Sequence, residues 1–139
     1  MTSPPWPPKL PVRHVRIARP TDQLDEVVRF YCEGLGLPEL DRFAGHAGYQ
    51  GVMLGLPSLA CHLEFTQHDH ASPGLTPSRD NLLVLYFDDL TQVEHVATRL
   101  AALGHLPVAA ENPYWTEHGA VTVEDPDHWR VVLMPQPPA

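Results

Sequence analysis

Residues 12–66 return, in pattern more than in identity, 68 positions further along the chain. Gly36 falls on Gly104 and Gly51 on Gly119, while Leu63, Glu64 and Phe65 fall on Val131, Val132 and Leu133. Val15, Ile17 and Ala18 fall on Leu83, Leu85 and Tyr86, and from Val28 to Phe65 the two halves align without a gap. A strand alternation and a helix stripe matching at one offset are the signature of a duplicated supersecondary unit. Whatever one copy folds into, the other must fold into as well.

The unit can be read from its first copy. Val12, His14, Arg16 and Ala18 alternate with Arg13, Val15, Ile17 and Arg19, a period of two that predicts a strand. Pro20 ends it, and Thr21 or Asp22 offers a side-chain oxygen to the free N–H groups of a following helix. Leu24, Val27, Val28, Tyr31 and Leu35 then recur at helical spacing up to Gly34 and Gly36. Three strands are expected to follow, near 38–43, 49–56 and 59–66. The second copy predicts a strand over 81–87, a cap at Asp88 or Asp89, a helix over 91–103, and strands over 106–110, 120–124 and 129–134.

The expected fold is therefore α+β: two βαβββ modules whose curved sheets share a cavity, with the helices outside. Residues 1–11 form a proline-rich arm, 12–66 the first module, 67–79 a linker, 80–134 the second module and 135–139 a tail. Trp6 gives the arm a group that can dock on its own domain or on a partner subunit. With 139 residues the whole is one compact domain.

Composition removes several partners. A net charge of −8 opposes binding to nucleic-acid phosphates. No stretch approaches the ~20 apolar residues of a membrane span. The N-terminus lacks a charged segment followed by an apolar run, and Cys32 and Cys61 read as reduced thiols, so cytoplasm is the expected compartment.

The helix end FYCEGLGL, the stretch DPDHWRVVL before the last strand, and NPYW followed by HGAVTVEDPD resemble the vicinal oxygen chelate superfamily. Glyoxalase I, bleomycin-resistance proteins and extradiol dioxygenases belong to it, and the resemblance covers about residues 12–134. It implies paired βαβββ modules and, in the metal enzymes, ligands on the first and last strands of each module. Those positions are His14 and Glu64 in the first copy, and Leu82 and Val132 in the second. Leu and Val have no lone pair to give, and a catalytic ion normally needs about three protein ligands.

Residues two apart on a strand share a face. The expected cavity wall is then His14, Arg16, His62, Glu64, Leu82, Val84, Tyr86, Arg130, Val132 and Met134, with Tyr114 and Trp115 at the mouth. His62 could add a third ligand, but Glu64 is better explained by pairing with Arg16 or Arg130. The cluster His68, Asp69 and His70 lies in the linker, and Asp125 and Asp127 read as turn formers. No G-x-S-x-G elbow, C-x-x-C pair or glycine-rich phosphate loop is present.

Three functions stay open: a binding protein without cofactor for a small molecule whose acidic group is held by Arg130 and whose body lies against Leu82, Tyr86 and Val132; a divalent-metal lyase, isomerase or dioxygenase using His14 and Glu64; and a structural or regulatory dimer. A homodimer is expected, with a small molecule as the other partner.

Overall fold

The structure is a computed structural model that describes residues 7–8, 11, 14–72, 74 and 77–135. Trp6, the first residues of the expected opening strand and the tail beyond Pro135 lie outside the described residues.

The first module runs β1 (Val15–Pro20), α1 (Leu24–Arg29) continued by a π-helical turn (Phe30–Gly34), β2 (Glu39–His46), β3 (Tyr49–Gly55) and β4 (Cys61–His68). Its sheet has the order β1-β4-β3-β2, with β1 and β4 parallel and the other pairs antiparallel. The second module runs β5 (Leu82–Phe87), α2 (Leu90–Ala102), α3 (Pro113–Glu117), β6 (Val121–Glu124) and β7 (Arg130–Pro135). Its sheet has the order β5-β7-β6, again with the first and last strands parallel. Two related mixed sheets bear out the duplicated α+β reading.

Two details depart from it. The strand expected over 106–110 is reduced to one bridge, Val108 to Thr122, because Pro107 has no N–H to extend the ladder. Asn112 and Pro113, read as a loop, instead start α3: the Asn112 side chain accepts from Tyr114 N at 3.0 Å, and proline suits a first turn. The repeat is also not uniform. Arg16 lies beside His62, 46 residues on, whereas Leu82 lies beside Arg130, two residues further along the chain from its partner. One offset of 68 therefore cannot carry the first and last strands together. Because the difference is even, the faces keep their phase.

Helix starts follow the chemistry of their caps. Asp89 accepts from Gln92 N at 3.0 Å at the start of α2. At α1 the expected cap shifts: Gln23, not Thr21 or Asp22, is the N-cap, and its side chain makes no capping bond. Thr21 accepts from Gln23 N at 3.0 Å, and the Gln67 side chain, arriving from β4, accepts from Leu24 N at 2.9 Å.

The core sits against one face of each sheet. Leu63, Phe65, Val52 and Leu54 from the first sheet, and Val123, Val131 and Leu133 from the second, join one cluster with Val27, Phe30 and Tyr31 of the first helix and Val93, Val96 and Leu100 of α2. The helices meet at Gly34, where an added Cβ would lie 2.5 Å from Leu100 Cδ2. Arg99 of α2 donates to the carbonyls of Gly34 at 2.7 Å and Leu35 at 3.2 Å, covering groups that the helix end leaves free.

A second clasp joins the modules. The turn before β7 carries Asp125, which is 2% exposed. Its carboxylate accepts from Asp127 N and Trp129 N and from the Tyr31 hydroxyl at 2.8 Å. Gln23 donates to Pro126 O and Asp127 Oδ1, both at 2.8 Å, and the Arg19 guanidinium lies 4.2 Å from the centre of the Trp129 ring. The two aspartates do form a turn, as their position predicts, and the same turn fastens the second module to the first.

Candidate functional site

Because the helix face of the first sheet is filled by Leu63, Phe65, Val52 and Leu54, residues in the other phase stand on the opposite, open face. Cross-strand register arranges them in rows: Arg16 beside His62; Ala18, Glu64, Met53 and Asp41; Thr66, Gly51 and Phe43; His68, Tyr49 and His46. These rows line a cavity of about 580 Å³ bounded by Asp41, Phe43, His46, Tyr49, Met53 and Thr66. Phe43 can cross the face because its neighbour is a glycine. A Cβ on Gly51 would stand 2.5 Å from two atoms of the Phe43 ring and 3.2 Å from the Phe65 carbonyl oxygen.

Beside this cavity the polar side chains are bonded to one another. Arg16 Nε donates to His62 Nε2 at 2.8 Å, and Arg16 Nη1 stands 3.6 Å from Glu64. The neutral His62 ring then carries its proton on Nδ1 and donates it to His14 Nε2. Burial pushes the pKa of His62 down, and the charges of Arg16 and His14 push it further, against the opposing pull of Glu64. His14, Arg16, His62 and Glu64 are thus brought together.

The second module's residues stand apart from them. Leu82, Val84 and Tyr86 point away from the core, since Leu83, Leu85 and Phe87 pack against it. Tyr86 is 59% exposed, but Arg130 is 5% exposed and Val132 not at all. Arg130 Nε donates to Glu124 at 3.0 Å and Nη1 to the Ala109 carbonyl at 2.9 Å. The expectation of an uncommitted Arg130 holding an acid is therefore corrected. Glu124 stands directly opposite Arg130 across β6 and β7 and already neutralises it. Val132, expected as an apolar wall, has no surface left for a ligand within this chain. Tyr114 and Trp115 lie on α3, with Tyr114 stacked on His118 at 4.1 Å, and neither borders the 580 Å³ cavity. Asp41, Phe43, His46, Tyr49 and Met53 were missed by the sequence reading, which followed only the first and last strands, and Thr66 was missed because that reading stopped at Glu64 on the last strand. Period two relates Asp41 to Phe43 and Tyr49 to Met53 and was the signal for those four, whereas the irregular register between Phe43 and His46 left no such signal for His46.

Comparison with known proteins gives the chain its relatives. Residues 15–66 match the YycE-like N-terminal domain and residues 80–135 the YycE-like C-terminal domain. The uncharacterized protein YycE of Bacillus subtilis is 49% identical over 120 residues, 86% of each chain. The chain belongs to the YycE-like family. The crystal structure of a Bacillus subtilis YycE protein of unknown function has a TM-score of 0.88 at 44% identity, over 95% of this chain and 96% of that one. A fosfomycin resistance protein, FosX, of Listeria monocytogenes, complexed with Mn(II), has a TM-score of 0.68 at 13% identity, covering 88% and 90%. TnmS3, an antibiotic binding protein from a Streptomyces species, has a TM-score of 0.66 at 20% identity, covering 91% and 98%. At such identities the last two speak for the fold alone; together with the Bacillus subtilis YycE structure, itself likened to glyoxalases and fosfomycin resistance proteins, they identify it as the fold of the vicinal oxygen chelate superfamily.

Divalent metals occur in that superfamily, so the donor set of this YycE-like chain has to be tested against one. His14 and His62 spend ring nitrogens on each other, and the Arg16 cation lies against both His62 and Glu64. A second cation there would be repelled at short range. Leu82 and Val132 add no lone pair, and among the described residues no three of His, Cys, Asp and Glu are grouped to hold an ion. As arranged, these residues do not fit a divalent metal. The linker cluster fares no better: His68 packs edge-on against Tyr49, and its ring centre is 6.4 Å from that of His70.

The Arg130–Glu124 pair gives this YycE-like chain a measurable pH response. Burial raises the Glu124 carboxyl, but hydrogen bonds from His128 and Arg130 outweigh it and leave the pKa below the ordinary value. A carboxyl lowered in the folded state stabilises the fold above its unfolded pKa, and that contribution is lost as pH falls through the folded value. Arg130→Ala is expected to cost about 2 kcal/mol at pH 7, the scale of charged hydrogen bonds. Urea unfolding should show the difference from wild type narrowing as the pH falls from 6 to 3. An unchanged difference would place the effect in packing instead.

Proposed function

We propose that this protein is a binding protein for a small organic molecule, held on the open face of the first module, and that it works without a catalytic metal. The observation that carries this reading is the roughly 580 Å³ cavity bordered by Phe43, Tyr49 and Met53 with few polar groups, a composition suited to small organic ligands. The mutual bonding of His14, Arg16, His62 and Glu64 beside it supports a neutral, pre-assembled polar wall more than a ligand set for an ion. The preference for an acid suggested by the sequence loses its strongest support, because Arg130 belongs to Glu124 and Arg16 faces Glu64.

We include a homodimer in the reading. The strip Leu82, Val84 and Tyr86 is apolar, and Tyr86 is largely exposed in one chain, so a second copy has something to cover. Burying that strip over the partner's open face would close the cavity between two subunits. We also assign the protein to the cytoplasm, which the two free thiols Cys32 and Cys61 support. No helix is long and apolar enough to cross a membrane among the described residues.

The test is an NMR titration of the full chain with a small-molecule set, run beside elemental analysis of protein purified without chelator and sedimentation at micromolar concentration. Binding should perturb Met53, Thr66 and Tyr49, metal should stay at background in wild type and in His14→Ala alike, and the protein should sediment as a dimer. A stoichiometric divalent ion lost on His14→Ala would make the metal-dependent lyase, isomerase or dioxygenase the correct reading. A compound set that leaves Met53 and Thr66 unmoved would remove the binding reading, and a monomer would remove the dimer.

A further inference from the structure

We propose that the cavity on the first module takes an organic cation, an alkylammonium or guanidinium group, with Asp41 as its counter-charge. The inference rests on the reading that this face binds a small molecule, and it goes on to give the ligand's charge. Among the described residues, the cavity border carries one carboxylate, Asp41, on β2, and no arginine or lysine.

Among the described residues, the two arginines beside this face are already committed. Arg42 pairs with Glu39 at 2.7 Å, and Arg16 is held by Glu64 and His62. Asp41 makes no ion pair among the described residues. Its Oδ1 accepts the Arg42 backbone N–H at 2.8 Å, which fixes the direction of the carboxylate without neutralising it. Beside Asp41 stand Met53 and then Glu64 in the same cross-strand row, so a second carboxylate lies across the row on the side of β4.

The remaining border is the kind that favours a weakly hydrated organic cation. Phe43 and Tyr49 supply aromatic rings, whose faces carry negative potential, and Met53 supplies a polarizable sulfur. Gly51 keeps the floor low under the Phe43 ring, so the ring borders the space instead of standing upright from it. A carboxylate ligand placed in the same space would face Asp41 at short range. A weakly hydrated ammonium or guanidinium would meet a carboxylate and two rings at once.

The experiment uses three probes of one shape and different charge: choline, its neutral carbon isostere 3,3-dimethylbutanol, and 3,3-dimethylbutanoate. Each is titrated into the full chain at pH 8, while the Met53 methyl and Tyr49 signals are followed. Choline should bind at least tenfold more tightly than the alcohol, and the acid more weakly than either. Asp41→Asn, at an exposed strand position, should bring choline to parity with the alcohol while leaving the unfolding midpoint unchanged. Phe43→Leu should weaken choline more than it weakens the alcohol. Equal or tighter binding of the alcohol or the acid overturns the proposal, and so does an Asp41→Asn protein that keeps its preference for choline. If the alcohol or the acid binds at Met53 and Tyr49 while choline does not, the small-molecule reading stands and the cation inference falls. If no compound of any charge moves those signals, the small-molecule reading falls with it.

Discussion

Asp125→Ala is expected to lower the free energy of unfolding by about 3–5 kcal/mol, the largest loss from any single polar side chain among the described residues. Three donors converge on that carboxylate, namely the Tyr31 hydroxyl and the backbone N–H groups of Asp127 and Trp129. Tyr31 is wholly buried, so truncation leaves its hydroxyl without a partner. Because Tyr31 belongs to the first module and Asp125 to the second, the loss should appear as weakened attachment between modules. Hydrogen exchange should rise along β7 and the first helix together, and the melting temperature should fall by roughly 10–20 °C.

Asp125→Asn separates hydrogen bonding from charge. The amide oxygen can still accept from both backbone groups, and the Tyr31 hydroxyl can accept from the amide N–H. The cost at pH 7 should stay within about 1 kcal/mol. Burial raises the Asp125 carboxyl above its ordinary pKa, against the lowering effect of its hydrogen bonds. A carboxyl raised in the folded state favours the fold below its unfolded pKa, and that contribution is lost as pH rises through the folded value. The substituted amide cannot titrate, so the variant should gain on wild type as the pH rises from 3 to 7. A variant that loses ground over that range would show that the carboxylate is worth more charged than its burial costs.

The second large effect is expected at Phe30. Its ring is completely buried and meets Tyr31 edge-on at 4.9 Å and His105 of the second module at 4.9 Å. Phe30→Ala should cost about 3–5 kcal/mol by transfer and cavity terms together. Phe43→Ala, on the open face, should cost no more than about 2 kcal/mol, because its ring is only half-buried. Denaturant titrations that find the two equal would mean that Phe43 is part of the core and not of a ligand cavity.

The contrast between these phenylalanines was not legible in the sequence. Helical spacing marked the neighbouring Tyr31 as inward, whereas Phe30 lay outside the stripe of Leu24, Val27, Val28, Tyr31 and Leu35, and the structure alone shows its ring wholly buried. The alternation of β1, β4, β5 and β7 likewise gave the inward and outward phase of Arg16, Glu64, Leu82 and Arg130 without any coordinates. The duplication was legible for the same reason: periodicity is a local property, and it survives almost complete change of residue identity. The strand expected over 106–110 failed because Pro107 overrules a pattern that is otherwise strand-like.

What alternation could not say is which residue stands opposite which across a sheet. Glu124 and Arg130 are six residues apart in sequence, separated by a turn whose length sets the register, and only that register puts the carboxylate on the guanidinium. Asp41 and Glu64 share a row only because β3 lies between their strands. Tyr31 and Asp125 are 94 residues apart, and nothing in either neighbourhood announces the other. Short-range pattern therefore determined the modules, the Asp89 cap and the face of the residues on the first and last strands. Tertiary structure alone decided which charges are spent, because a charge is neutralised by its neighbours in space and the chain reveals only its neighbours in sequence.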